Sequence, residues 1–177
     1  MLLAEELGTS ERTLRRAANR GAIRCRREGP RRISLSGKEY EYVRVHWPLL
    51  GRLIRELRTL PHVRLAVLYG SVARGDERRE GDLDVLVRFR EDTIHTRALV
   101  AERLEAAAGR RAQLASVDDA SALLLADVLR DGLVLVDRDD DWRRLRAKER
   151  RIAREADGAE PKLDEAAWAA LAEHGSP

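Results

Sequence analysis

Residues 68–75 read Leu68-Tyr69-Gly70-Ser71-Val72-Ala73-Arg74-Gly75, and residues 81–87 read Gly81-Asp82-Leu83-Asp84-Val85-Leu86-Val87, with a fully charged loop between them. Ten residues separate Ser71 from Asp82. Val63 to Tyr69 is a short, mostly apolar run, and Asp82 to Phe89 alternates at its start before turning apolar, so both predict strands. Side chains two apart on a strand point to the same face, which sets Asp82 and Asp84 side by side. Two like charges so close repel unless a cation lies between them, and carboxylate oxygens with phosphate completing the shell suit Mg²⁺. Gly70 lets the backbone approach a ligand closely, while Ser71 and the first amides of the helix it opens can meet phosphate. Strand, phosphate-binding turn and paired-carboxylate strand are the parts that metal-assisted nucleotidyl transfer needs.

The pattern continues outward in both directions. A helix is predicted over 93–108 with Gly109 ending it, then a strand over 112–117, a helix over 120–129 and a strand over 133–136. With the first two strands these form a compact α/β unit with a mixed sheet across 61–138. Residues 139–177 predict a charged helix over 139–154, a linker at Asp157-Gly158-Ala159-Glu160-Pro161, and a terminal helix over 163–172. Upstream, a short apolar stripe (Leu2, Leu3, Ala4, Leu7) stops at Gly8, and Ser10 can cap a second helix that ends at Gly21. Two short helices joined by a tight Gly-containing turn form the helix-turn-helix pattern. Ile23 to Arg26 and Arg31 to Leu35 flank a Gly-Pro turn and predict a two-stranded wing. Ser36 with Glu39 makes a capping box for a helix through about Trp47, and Pro48 is placed to start another through Leu60. The expected fold class is therefore α+β: a winged helix-turn-helix head with connecting helices over 1–60, the small α/β domain over 61–138, and C-terminal helices over 139–177.

Charge divides the same way. The chain of 177 residues has a formal charge of +3, but residues 1–60 carry 14 basic and 7 acidic side chains while the rest carries 20 and 24. A basic head and a mildly acidic body suggest two jobs. One cysteine, Cys25, excludes an intramolecular disulfide and a cysteine-built zinc cage, and the four histidines show no metal-binding spacing. No apolar run approaches the roughly 20 residues that span a bilayer, and the N-terminus lacks the basic start and long apolar stretch of a signal peptide, so a cytoplasmic location is expected.

The Gly-Ser, ten residues, Asp-x-Asp segment resembles the polymerase β-like nucleotidyltransferase superfamily, specifically its small minimal nucleotidyltransferases, over about residues 62–137. The resemblance implies that Gly70 and Ser71, with Arg74 and Gly75 completing the turn, hold a nucleoside triphosphate such as ATP, and that Asp82 and Asp84 are catalytic and bind Mg²⁺. The competing reading is an α/β segment whose acids are merely solvated. Family members place a third carboxylate on a later strand, where it can take the proton of the attacking hydroxyl. Alignment of Gly109-Arg110-Arg111-Ala112-Gln113-Leu114 puts Gln113 there, and glutamine cannot act as a base. Asp118 and Asp119 are the nearest alternatives, five and six residues on.

The head resembles the winged helix-turn-helix of excisionase-like and MerR-like regulators. That implies Arg12, Arg15 and Arg16 facing the major groove and Arg26, Arg27, Arg31 and Arg32 on the wing meeting phosphates. A small helical cap with solvated arginines is the alternative. Minimal nucleotidyltransferases often act as antitoxins beside HEPN-type ribonuclease toxins, transferring AMP to a toxin hydroxyl, and a DNA-binding head would let the protein repress its own operon. Winged-helix regulators are often dimeric, which raises a homodimer as an expectation. The first rival function is a regulator whose degenerate transferase domain binds a nucleotide or partner; the second is a small-molecule nucleotidyltransferase of the aminoglycoside-modifying kind, which no obvious acceptor domain supports.

Overall fold

The computed structural model describes residues 2–29, 32–78 and 81–158. The predicted terminal helix over 163–172 and Arg31 lie outside the described residues. Two short helices open the chain, α1 (Leu2–Glu6) and α2 (Glu11–Arg20). Ser10 caps α2 by accepting from the Thr13 amide, and Gly21 closes it in the left-handed region with its N–H on Ala17 and Ala18 carbonyls. The hairpin β1 (Arg26–Arg27) with β2 (Ile33–Ser34) is antiparallel and narrower than the sequence predicts. The reason is that Ile23 is buried in the core and the Arg24 amide donates to Glu39 Oε1 at 2.9 Å, so neither is free to pair.

Helix α3 (Gly37–Thr59) corrects the expectation of two helices meeting at Pro48. Ser36 caps it by accepting from the Glu39 amide, but the Glu39 carboxylate turns to Arg24 instead of closing the expected box, and Pro48 sits inside the helix. A proline there forfeits one backbone bond and costs about 3 kcal/mol. Burial of Val43, Trp47, Leu50, Leu53, Ile54 and Leu57 along one face outweighs that loss.

The central sheet has the order β5-β4-β3-β6, built from β3 (Val63–Tyr69), β4 (Leu83–Phe89), β5 (Ala112–Ser116) and β6 (Leu133–Asp137). β3 and β4 are antiparallel across the turn helix α4 (Gly70–Arg74), β3 and β6 are antiparallel, and β4 and β5 are parallel through the crossover helix α5 (Ile94–Ala108). The α+β class with a mixed sheet matches the expectation. One sheet face packs on α2, α3 and α5, so Ala17, Ala18, Ala22 and Ile23 share a core cluster with Leu68, Val85 and Leu133. The other face, with Leu65, Val67 and Leu86, packs on α6 (Ala122–Asp131), α7 (Asp141–Arg146) and α8 (Glu149–Asp157). The single charged helix expected over 139–154 is thus two: α7 contacts β3 and β6 while α8 lies along α6, and one straight axis does not serve both surfaces. Among the described residues, no helix is long and apolar enough to cross a membrane.

Candidate active site

β3 runs into α4 at Gly70, whose φ of +72° lies in the left-handed region. A Cβ at Gly70 would also collide with the Asp84 carboxylate, so glycine is required there by backbone and by neighbour. Gly75 ends α4, again at positive φ, with its N–H on the Ser71 and Val72 carbonyls. A Cβ here would lie 2.9 Å from the Tyr42 ring of α3. That ring is a platform under the turn. The buried Tyr42 hydroxyl donates to Val72 O at 3.0 Å, and His46 stacks on the ring with centroids 4.2 Å apart. The His46 ring nitrogens lie 2.9 Å from Tyr42 O and 2.9 Å from Glu77 Oε1, which ties the charged loop to α3. Arg24 adds a second brace, its Nη2 donating to Ala73 O at 2.9 Å and to Asp131 O. Sequence reasoning missed Tyr42, His46, Glu77 and Arg24; the i,i+4 spacing of Tyr42 and His46 on a helix was the one available hint.

The acids stand opposite this turn. Strand register pairs Asp84 with Tyr69 on one side and with Gln113 on the other. Burial pushes the Asp84 carboxyl above the usual carboxylate range, the charge of Asp82 pushes it further, and the Arg74 guanidinium opposes both. Burial, then Asp84, raises the Tyr69 hydroxyl. Gln113 Nε2 donates to Asp82 Oδ2, so the residue at the third-carboxylate position touches the pair. Asp118 and Asp119 do not replace it: they bridge Arg88 at 2.9 Å and Arg97 at 2.7 Å. Among the described residues no third His, Cys, Asp or Glu completes a metal-binding group. Two half-buried carboxylates that repel each other fit a hard dication that takes its remaining ligands from phosphate and water; they do not make a three-carboxylate centre. Arg74 is exposed, with Nε 3.1 Å from Asp76, and Arg110 Nη1 donates to Gly81 O at 3.4 Å ahead of β4. Arg110 is another contributor the sequence reading did not assign a role.

In the head, Arg12, Arg15 and Arg16 are exposed on α2, as are Arg26 and Arg27 on β1 and Arg32 before β2. Arg27 Nη2 donates to Asn19 Oδ1 at 3.1 Å, which brings the hairpin to α2. Arg26 and Arg24 line a cavity of about 710 Å³ whose far wall is Arg74, Gly75 and Asp76, so head and turn share one opening.

The chain is similar to solved structures of toxin–antitoxin proteins. It matches a chain of the tri-AMPylated Shewanella oneidensis HEPN toxin in complex with MNT antitoxin at 19% identity and TM-score 0.53, covering 70% of this chain and 99% of that one. It also matches a toxin-antitoxin with AMP-PNP at 22% identity and TM-score 0.48, covering 72% of this chain and 98% of that one. At these identities the first likeness is one of fold. No curated protein matches the sequence. The family model described as Polymerase beta, Nucleotidyltransferase matches residues 52–141, which spans the last third of α3, the whole central sheet and the Gly-Ser turn with its facing acids. That match takes in more than half of the chain, and the chain belongs to the polymerase β nucleotidyltransferase family.

Proposed function

We propose that the chain is an antitoxin-like nucleotidyltransferase that moves AMP from ATP to a hydroxyl of a HEPN-type partner. The observation that carries this reading is the close approach of the Gly70-Ser71 turn to Asp84 on β4, with Asp82 just ahead of that strand rather than inside it as the sequence predicts. The structural relative with an AMPylated HEPN toxin supplies the acceptor class. Gly70, Ser71 and Arg74 hold the triphosphate, and Asp82 and Asp84 would hold Mg²⁺, which would supply charge neutralisation for the phosphates. The acceptor oxygen bonds to the α-phosphorus, the bond to the β-phosphate oxygen breaks, and pyrophosphate leaves. Gln113 cannot take the hydroxyl proton, so that proton goes to water or to a base on the acceptor. The experiment is to co-express the chain with the protein encoded beside it and supply Mg²⁺ with α-labelled ATP. Label on the partner is expected, and Asp84→Asn should abolish it.

A second reading rests on Gln113, which puts an amide where a third acid belongs. In it the domain binds ATP and the partner without transfer. ATP binding with no label on any product selects it, and Gln113→Asp, which restores the acid, should then raise transfer above background.

Residues 1–60 act as a DNA-binding head that brings the protein to its own promoter. Support comes from the Ser10-capped α2 with exposed Arg12, Arg15 and Arg16 and from the hairpin arginines Arg26 and Arg27. Duplex binding that weakens steeply with salt is expected; binding indifferent to salt would sink the assignment.

A further inference from the structure

Four arginines without an acid gather where the flank of α2 faces the second half of α3. Arg20 of α2 and Arg55 and Arg58 of α3 line one cavity of about 310 Å³, together with the hydroxyl-bearing Thr9 and Thr13. Arg16 lies one helical turn before Arg20, and all four arginines are exposed. Among the described residues none of the four forms an ion pair with a carboxylate, whereas Arg24 and Arg44 in the same head pair with Glu39 and Glu41. Burial, then the charges of Arg20 and Arg16, depress the Arg58 guanidinium, so the cluster is close enough for its members to repel one another. The first 60 residues hold 7 acidic side chains, and none of them relieves this site.

Guanidinium groups beside hydroxyls, with no amide or carboxylate to read a base edge, are the set that meets phosphodiester oxygens. Arg12, Arg16 and Arg20 follow one another at four-residue steps, so one line of charge on α2 leads to the α3 pair. We infer that Arg20, Arg55 and Arg58, with Thr9 and Thr13, form a second phosphate-contact surface that seats the backbone of a DNA duplex lying against α2. The footprint then runs onto α3 instead of ending at the hairpin. This rests on the DNA-binding reading of the head and deepens it, because α3 is also the helix whose Tyr42 and His46 brace the nucleotide turn.

The test compares the full chain with Arg55→Ala/Arg58→Ala and with Arg111→Ala, a charge control at the opposite, β5 edge of the sheet. Binding to a labelled promoter duplex and to a random duplex is followed by anisotropy across a salt series. The double variant should bind both duplexes on the order of tenfold more weakly, with a salt slope shallower by about 2, while Arg111→Ala matches the wild type. Unchanged affinity and slope in the double variant, with the wild type binding, overturn the inference and leave the head reading standing. Loss of AMP affinity in the double variant with DNA binding intact also overturns it, by assigning the cluster to a small ligand. A wild type that binds neither duplex overturns the head reading itself.

Discussion

The two ends of one face of β4 meet acids in opposite condition, Asp84 on the strand itself and Asp141 on α7. At one end Asp84 faces the Gly70 turn, half-buried, repelled by Asp82 and, among the described residues, bonded to no arginine. At the other end Arg88 reaches across to Asp141, which is 1% exposed and lies within 3.3 Å of Arg88, 3.1 Å of Arg64 and 3.2 Å of Arg144. Both regions bury carboxylate against the same α6–α8 side of the sheet. The difference is that the second is neutralised by the fold and the first leaves its charge to be neutralised by something else. An acid neutralised by arginines marks architecture, whereas one left without a paired cation beside a glycine turn is a candidate place for a ligand.

The sharpest way to test that contrast is to remove each acid in turn. Asp141→Ala leaves the guanidiniums of Arg64 and Arg88 partly buried without their shared partner, and breaking a buried pair costs about 3–5 kcal/mol. Urea denaturation should show a loss at the low end of that range, about 3 kcal/mol, since Arg64 retains Asp139 and Arg88 retains Asp118. A loss under about 1 kcal/mol, the range of surface pairs, would remove the structural half of the comparison.

Next in size is Gly70→Ala. The left-handed backbone alone costs a side chain about 1–2 kcal/mol, and the new Cβ must also displace the Asp84 carboxylate. Destabilisation of about 2 kcal/mol with complete loss of ATP binding is expected, read by denaturation and calorimetry. ATP binding that survives would show that the turn does not need its close approach to Asp84.

These two positions also show what sequence can and cannot reveal. Gly70, Ser71, Asp82 and Asp84 were legible because a turn glycine and a two-residue strand period are local signals. Gln113 was placed by pattern, and the β4–β5 register puts it opposite Asp84. The acidic run Asp137, Asp139, Asp140 and Asp141 has the local pattern of charge complement at a helix start, and Asp137 Oδ1 accepts from the Asp141 amide of α7 at 3.0 Å. The role of Asp141 itself depends on Arg64 and Arg88, which lie 77 and 53 residues away and leave no periodic trace. The same holds for Tyr42, 30 residues from Val72, and for Arg24, 49 residues from Ala73. Pro48 misled for the opposite reason: its local stop signal is genuine, but packing of the whole α3 face overrides it.

A smaller effect is expected at Tyr42, where α3 supports the turn that faces Asp84. Tyr42→Phe keeps the ring under Gly75 and leaves the Val72 carbonyl with the Gly75 N–H as its remaining donor, at a cost of about 1 kcal/mol. If the platform positions the turn, ATP affinity should fall while the melting temperature drops by only about 2–4 °C. Equal ATP affinity in the variant would confine Tyr42 to packing.

The smallest stability change, Asp84→Asn, bears most directly on the comparison. In the folded chain burial and Asp82 hold the Asp84 proton to higher pH than the ordinary value of 3.8 that the unfolded chain retains. Between that value and the raised one the native state binds more protons than the unfolded state, so this group lowers stability as pH rises through the window and keeps it lower above it. Asparagine removes the ionisation. The variant should therefore gain on the wild type as pH rises from acid to neutral, by an amount that melting curves at paired pH values can read. Mg²⁺ at neutral pH should stabilise the wild type and close the gap, because binding to the native state alone raises its stability, and should leave the variant unmoved. A variant that is less stable than the wild type at neutral pH without metal would make Asp84 a structural acid like Asp141, and the two ends of β4 would then differ only in how many arginines reach them.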